Sequence, residues 1–294
     1  MRIAITGASG FIGRALVAAA RDAGHGVDAL SRSGGADYED AAAMSKGFAG
    51  ADAVVHLAAR AHRRGPGKDF DCNVRSTRAV AAASRAAGVG RLVLVSSIGV
   101  NGNVTRGKPF TETDTPAPAE PYAHSKLASE REVQAAGIDW VVIRPPLVYG
   151  PRAPGNFGLL VRAVARNWPL PLGAIHNQRS LIGVQNLCEF IMACATQPLA
   201  ANELFLIADG DDVSTPDIVR SIAKGLGKPA RLWNLPPSLI RLAGALPGRK
   251  NVAQGLCDSL QVDASKARTL LGWSPAVATR EGIAHAAAGW GHAP

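Results

Sequence analysis

Short apolar runs, rich in β-branched residues, recur along the first half of the chain at residues 3–6, 27–30, 53–57, 92–95 and 140–143. Each run is nearly continuous rather than alternating, the pattern of strands buried on both faces of a parallel sheet. Between them lie alanine-rich stretches long enough for helices, such as residues 11–23 and 70–87. Each is followed by a glycine, Gly24 or Gly88, where a helix stops. This alternation predicts an α/β chain built on a doubly wound parallel sheet.

After Gly150 the pattern loosens, and Pro151, Pro154, Pro169, Pro171, Pro198 and Pro216 break it up. A smaller C-terminal lobe is expected to begin there. The run at residues 204–207 reads as one more strand that returns to the sheet. The expected division is therefore discontinuous, with residues 1–150 and about 180–208 in the first lobe and about 151–179 and 209–294 in the second. No internal repeat or low-complexity tract is visible.

Composition narrows the class of protein. With 47% hydrophobic and 19% charged residues, the 294-residue chain can bury a large core. Its first residues run straight into a strand pattern without a basic leader or a small-residue cleavage site, so secretion is not expected. No stretch approaches the roughly 18 apolar residues of a membrane span, and no membrane association is expected. Cys72, Cys188, Cys194 and Cys257 lack paired spacing and neighbouring histidines. They predict neither disulfides nor a metal site, and a reducing cytoplasm is the expected location. A net charge of +9 raises nucleic acid as a partner, starting from Arg60, His62, Arg63, Arg64 and Lys68. No recognition helix, aromatic stripe or long basic run accompanies that cluster, so no nucleic-acid partner is expected and the cluster reads as a solvated loop.

The chemistry begins directly after the first strand, in Thr6-Gly7-Ala8-Ser9-Gly10-Phe11-Ile12-Gly13. Gly7 permits a tight turn, Gly10 lets a pyrophosphate approach the backbone, and Gly13 allows the helix to pack on the strand. The helix N-terminus supplies oriented N–H groups for the phosphates. Further on, Tyr122 and Lys126 stand four residues apart, so a helix presents both from one face. An ammonium beside a phenol favours the phenolate and is expected to lower a pKa that starts near about 10, making the hydroxyl a usable acid or base. Ser96-Ser97-Ile98-Gly99-Val100 closes the preceding strand, where a hydroxyl can bond the same substrate oxygen.

These motifs together resemble the short-chain dehydrogenase/reductase superfamily, whose fold is a Rossmann-type sheet. The resemblance implies that Ser97, Tyr122 and Lys126 are catalytic and that Gly7, Gly10, Phe11, Ile12 and Gly13 hold a dinucleotide. It places Leu57, Ala58 and Ala59, of His56-Leu57-Ala58-Ala59, beneath the adenosine and ribose. It adds Asn73, Ser96 and Asp37 to the cofactor side. Asn101 departs from the family, standing where a tyrosine is usual.

Arg144-Pro145-Pro146-Leu147-Val148-Tyr149-Gly150-Pro151 resembles a segment of the extended branch, which holds nucleotide-sugar epimerases, dehydratases and reductases. There the segment passes the nicotinamide, which implies cofactor contacts for Pro145 and Val148. Asn156, Arg179 and Arg249 are the implied nucleotide-sugar residues, with Arg179 a candidate phosphate clamp. Asp263-Ala264-Ser265-Lys266-Ala267 through Leu271-Gly272-Trp273 resembles the branch's closing segment. A homodimer is the family's usual form.

Among the branch's reactions, dehydration is disfavoured, because Ile98 and Gly99 stand where a dehydratase carries an Asp-Glu pair. A 4-epimerase usually holds NAD through an acidic residue at the end of the second strand. Here the chain reads Leu30-Ser31-Arg32, and Arg32 either pairs with a 2′-phosphate or lies on the adenine or in solvent. NADP(H) is therefore the favoured cofactor, with NAD(H) the alternative. The favoured reading is a reductase of a UDP-4-keto-6-deoxy-N-acetylhexosamine, which the stretches 97–102, 155–179 and 212–215 resemble. A UDP-sugar 4-epimerase is the runner-up. A cofactor-sensing regulator is the non-enzymatic alternative, disfavoured by the intact Ser97, Tyr122 and Lys126.

Overall fold

The computed structural model describes residues 1–60, 70–244 and 250–290. The chain begins with β1 (Arg2–Thr6), α1 (Phe11–Asp22), β2 (Gly26–Leu30) and α2 (Ala41–Gly47). It continues through β3 (Ala53–His56), α3 (Asp71–Ala86), β4 (Arg91–Val95), α4 (Pro121–Gln134) and β5 (Asp139–Arg144). The second half holds β6 (Leu147–Tyr149), α5 (Gly155–Ala165), β7 (Leu181–Gly183), α6 (Val184–Thr196) and β8 (Glu203–Leu206). Helices α7 (Thr215–Gly225), α8 (Pro237–Gly244), α9 (Lys250–Cys257), α10 (Ser265–Leu271) and α11 (Thr279–Ala288) follow. Among the described residues no helix is long and apolar enough to cross a membrane.

Six strands form one parallel sheet in the order β2-β1-β3-β4-β5-β8. The apolar runs are continuous because alternate residues enter two different cores. Ile3, Ile5, Val55, Val93, Val95, Val141 and Ile143 face the layer of α1 and α6. Ala4, Val54, Leu92, Leu94 and Val142 face the layer of α2, α3 and α4. Gly24 and Gly88 end α1 and α3 with φ of 79° and 69°, the left-handed stops expected from their position. The run expected at 53–57 ends at His56, and that expected at 204–207 pairs one residue earlier, as β8.

The chain leaves β1 to one side for β2 and returns to its other side for β3, so the strand order reverses there. The crevice at the carboxyl ends of those strands is where a doubly wound sheet takes its ligand. A two-stranded parallel sheet, β6 with β7, leads away from the main sheet. It covers a separate core that includes Tyr149, Phe157, Ile218, Ile222 and Ile283. Ala267 and Leu271 of α10, although late in the chain, pack into the main-sheet core.

One buried ion pair locks α4 to the sheet. Arg144, the last residue of β5, makes a two-pronged contact with Glu130 of α4, Nη2 to Oε2 at 2.6 Å and Nε to Oε1 at 3.0 Å. Ser96 donates to the same carboxylate, and Arg144 Nη1 donates to Asn101 Oδ1 at 2.8 Å. The amide of Asn101 in turn donates to the Thr111 carbonyl at 3.1 Å. Asn101 therefore replaces the family's usual tyrosine with a residue that joins β5 to the loop after β4. Glu130→Ala strands a buried guanidinium and is expected to lower the unfolding free energy by about 3–5 kcal/mol in urea titration. Glu132→Ala, which breaks an exposed pair with Arg78, is expected to cost far less; equal losses would remove burial as the cause.

Candidate active site

The glycine turn has the shape that the sequence requires of it. Gly7 adopts φ of 72°, and a Cβ there would lie 2.8 Å from the Ala58 nitrogen. At Gly13 a Cβ would lie 2.2 Å from the Gly7 carbonyl oxygen, so α1 closes on the turn only because that position has no side chain. No side chain caps α1, which leaves its first N–H groups open to a ligand. This cradle fits the pyrophosphate of a dinucleotide. Phe11 packs against Gly150, where a Cβ would meet its ring at 3.0 Å, and so brings the segment after β5 beside the turn. Ile12 and Leu57 pack on the edge of the main core, Ala58 is buried under Gly7, and Ala59 is exposed.

At the end of β2, Ser31 caps a short 3-10 turn by accepting from Gly34 N–H at 3.1 Å. Arg32 stands over the ring of Tyr38, its guanidinium carbon 5.6 Å from the centroid. Tyr38 is buried and donates to the Leu30 carbonyl at 2.8 Å, while accepting from Gly7 N–H at 2.9 Å. It thus stitches β2 to the glycine turn and gives Arg32 a platform. The sequence offered no signal for this role beyond an aromatic in a polar loop. Asp37 is exposed and accepts from Glu39 N–H.

Ser97 ends the extended segment after β4, and its Oγ accepts from Gly99 N–H at 3.1 Å. With that lone pair engaged, the hydroxyl proton is directed away from the turn and is free for a ligand oxygen. The turn packs on the start of α4, where a Cβ at Gly99 would lie 3.4 Å from both Ala123 Cβ and Ser97 Oγ. Tyr122 and Lys126 rise from that same helix, with Phe70 edge-on to Tyr122 at 6.1 Å between ring centroids. Lys126 is buried, and among the described residues its ammonium has no hydrogen-bond acceptor. Burial lowers it to about 8, against the pull of Glu130 one turn further along. Tyr122 departs from expectation: burial pushes its phenol up to about 12 instead of down, because the phenolate is desolvated. At neutral pH it is a protonated acid.

Other residues assigned to the cofactor are engaged by the protein itself. Asn73 accepts from Arg60 N–H at 2.8 Å and donates to Ser125 Oγ at 3.1 Å, tying α3 to α4 and to the loop after β3. Ser96 is buried against Glu130, so its hydroxyl faces the ion pair rather than the cleft. The Pro145 carbonyl accepts from Ile98 N–H at 2.9 Å and steadies the Ser97 turn, while Val148 packs on the main core. His56 is not part of a loop under the ribose but a buried relay. Its Nδ1 meets Thr6 Oγ1 at 2.7 Å and its Nε2 meets Thr77 Oγ1 at 3.2 Å. Burial, with Lys126 nearby, lowers its pKa to about 3.

On the side of the second core, Asn156 is exposed near the start of α5, facing Gly255 of α9. Arg179 Nη1 donates to the Asp258 carbonyl at 2.9 Å, and Arg241 reaches the Asp258 carboxylate at 2.8 Å. Both assigned residues therefore border α9. Arg249, and His62, Arg63, Arg64 and Lys68 of the basic cluster, lie outside the described residues. Among the described residues no group of His, Cys, Asp and Glu is arranged to hold a metal.

A profile of the NAD dependent epimerase/dehydratase family matches residues 3–208, which contain the glycine turn and all three catalytic candidates. The chain belongs to that family. A UDP-glucose 4-epimerase of Vibrio cholerae is 39% identical to it over 244 residues, 78% of this chain and 74% of the relative. The solved UDP-glucose 4-epimerase of Thermus thermophilus in complex with NAD superposes with a TM-score of 0.80 at 24% identity over the whole of both chains. RMD from Pseudomonas aeruginosa, solved with NADPH, superposes with a TM-score of 0.78 at 20% identity over 98% of each chain.

This epimerase/dehydratase family member is therefore an extended short-chain dehydrogenase/reductase that uses a nicotinamide dinucleotide. Its buried histidine makes it sensitive to acid. An unfolded chain protonates His56 near 6.5, whereas the native state keeps it neutral down to about 3. Stability is thus lost as pH falls from 6.5 towards 3, by up to roughly 1.4 kcal/mol per unit from this group. Urea midpoints of wild type and His56→Asn between pH 7 and 4 check this. The variant is expected to show the shallower decline, and parallel curves would clear His56 of any part in it.

Proposed function

We propose that the enzyme acts at C4 of a UDP-sugar and that its physiological direction is reduction of a 4-keto group with NADPH. The observation that carries the direction is Arg32, a cation held on Tyr38 at the end of β2, where no carboxylate stands to bind the ribose hydroxyls. The substrate class rests on the Vibrio cholerae relative; Arg179, one of whose donors is taken by the Asp258 carbonyl, is assigned as a clamp for a diphosphate through its other N–H groups. When bound, the dinucleotide supplies the hydride. Tyr122, protonated at neutral pH, gives its proton to the C4 oxygen, and Ser97 donates a hydrogen bond to the same oxygen. Lys126 holds the ribose hydroxyls of the cofactor and places a positive charge beside the phenolate that Tyr122 becomes.

A second reading, a UDP-sugar 4-epimerase, is favoured by the 39% identity to the Vibrio cholerae enzyme. It needs Tyr122 as a base first, which a pKa pushed up to about 12 opposes, and it gains from tight retention of NAD. Two experiments test the proposal. Tyr122→Phe should fold normally yet lose roughly 10²- to 10⁴-fold in kcat with 4-keto UDP-sugars and NADPH; wild-type turnover by that variant would remove the tyrosine from the mechanism. Equilibrium titration should show NADPH bound more tightly than NADH, with Arg32→Ala narrowing the gap by roughly 10- to 100-fold. Equal affinity for both cofactors, unchanged in Arg32→Ala, would move the epimerase reading ahead.

A further inference from the structure

A second polar pair fixes the Ser97 turn to α4. Glu120 occupies the N-cap position of α4, but its side chain caps none of the helix N–H groups; it accepts instead from Asn103 Nδ2 at 3.2 Å. That bond sets the orientation of the Asn103 amide, since the reversed amide would turn its oxygen towards a carboxylate. Among the described residues Asn103 Oδ1 accepts no hydrogen bond. It lies beside Ser97 Oγ across Gly99: a Cβ built at Gly99 would sit in ordinary van der Waals contact with both, 3.4 Å from Ser97 Oγ and 3.9 Å from Asn103 Oδ1. A free hydroxyl donor and a free amide acceptor thus stand close together beside Gly99. Asn103 and Glu120 are both half-buried, so neither is closed off from solvent.

We infer that Asn103 is a specificity-determining residue that accepts a hydrogen bond from the C3 hydroxyl of the sugar, with Glu120 positioning it. The inference rests on the C4 reading above. With the C4 oxygen on Ser97 and Tyr122, the ring neighbours of C4 are C3 and C5, and C3 is the one that carries a hydroxyl donor directly. Donation from Nδ2 to the Glu120 carboxylate polarises the amide and makes Oδ1 the stronger acceptor.

The test measures affinity for a UDP-sugar and for its 3-deoxy analogue, at saturating NADP⁺, in wild type, Asn103→Ala and Glu120→Gln. Wild type is expected to prefer the 3-hydroxy ligand by roughly 10-fold. Asn103→Ala should bring that ratio close to one, and Glu120→Gln, which keeps the size of the side chain, should lower it part of the way. A role confined to bracing the turn would change both affinities together and leave the ratio intact, and a ratio unchanged in both variants overturns the inference. Failure of the C4 reading looks different: the ratio would still fall in Asn103→Ala, while wild type would turn over none of these sugars.

Discussion

The geometry of the candidate site hangs on the contact between Glu130 and Arg144. Two charges removed from water are costly unless each finds its partner in good geometry, and here both do. The guanidinium grips the carboxylate with two bonds and spends a third on Asn101, while Ser96 fills a further acceptor site on the carboxylate. Because Glu130 lies on α4, Arg144 at the end of β5 and Ser96 beside Ser97, the contact fixes three elements at once. Lys126 stands one helical turn before Glu130, so the same contact holds the stretch of α4 that carries the lysine.

Around that anchor the polar groups divide into those used by the fold and those left for a ligand. Asn73, Thr77 and His56 satisfy one another between α3, α4 and the sheet. Tyr38 does the same between β2 and the glycine turn. The Ser97 hydroxyl proton, the Tyr122 phenol, the Lys126 ammonium and the first-turn N–H groups of α1 are what remains. They line the carboxyl ends of the strands, where the reversal of strand order opens the sheet. Burial then sets their charge states. It opposes ionisation of the phenol and of the ammonium alike, raising one and lowering the other.

Much of this was legible in the sequence, because it depends on neighbours along the chain. A strand buried on both faces writes itself as a continuous apolar run, a helix stop as a glycine, and the dinucleotide turn as three glycines at fixed spacing. Tyr122 and Lys126 announce themselves by helical spacing. The family profile over residues 3–208 and the parallel six-stranded sheet agree with the readings of family and fold.

What the sequence by itself determined was therefore the α/β class, the strands and helices of its first half, the glycine turn and the helix that carries Tyr122 and Lys126, all consequences of short-range periodicity. Only the tertiary structure decided which polar residues face the cleft. Ser96 and Ser97 are adjacent and alike, yet one donates to Glu130 and the other accepts from Gly99 N–H, and no local pattern separates them. Glu130 and Arg144, Thr6 and His56, and Gly7 and Tyr38 are pairings across the fold, which a one-dimensional pattern does not encode. The direction of the Tyr122 shift was settled in the same way, since desolvation depends on how much protein closes over the ring, and that is fixed only when α4 docks on the sheet.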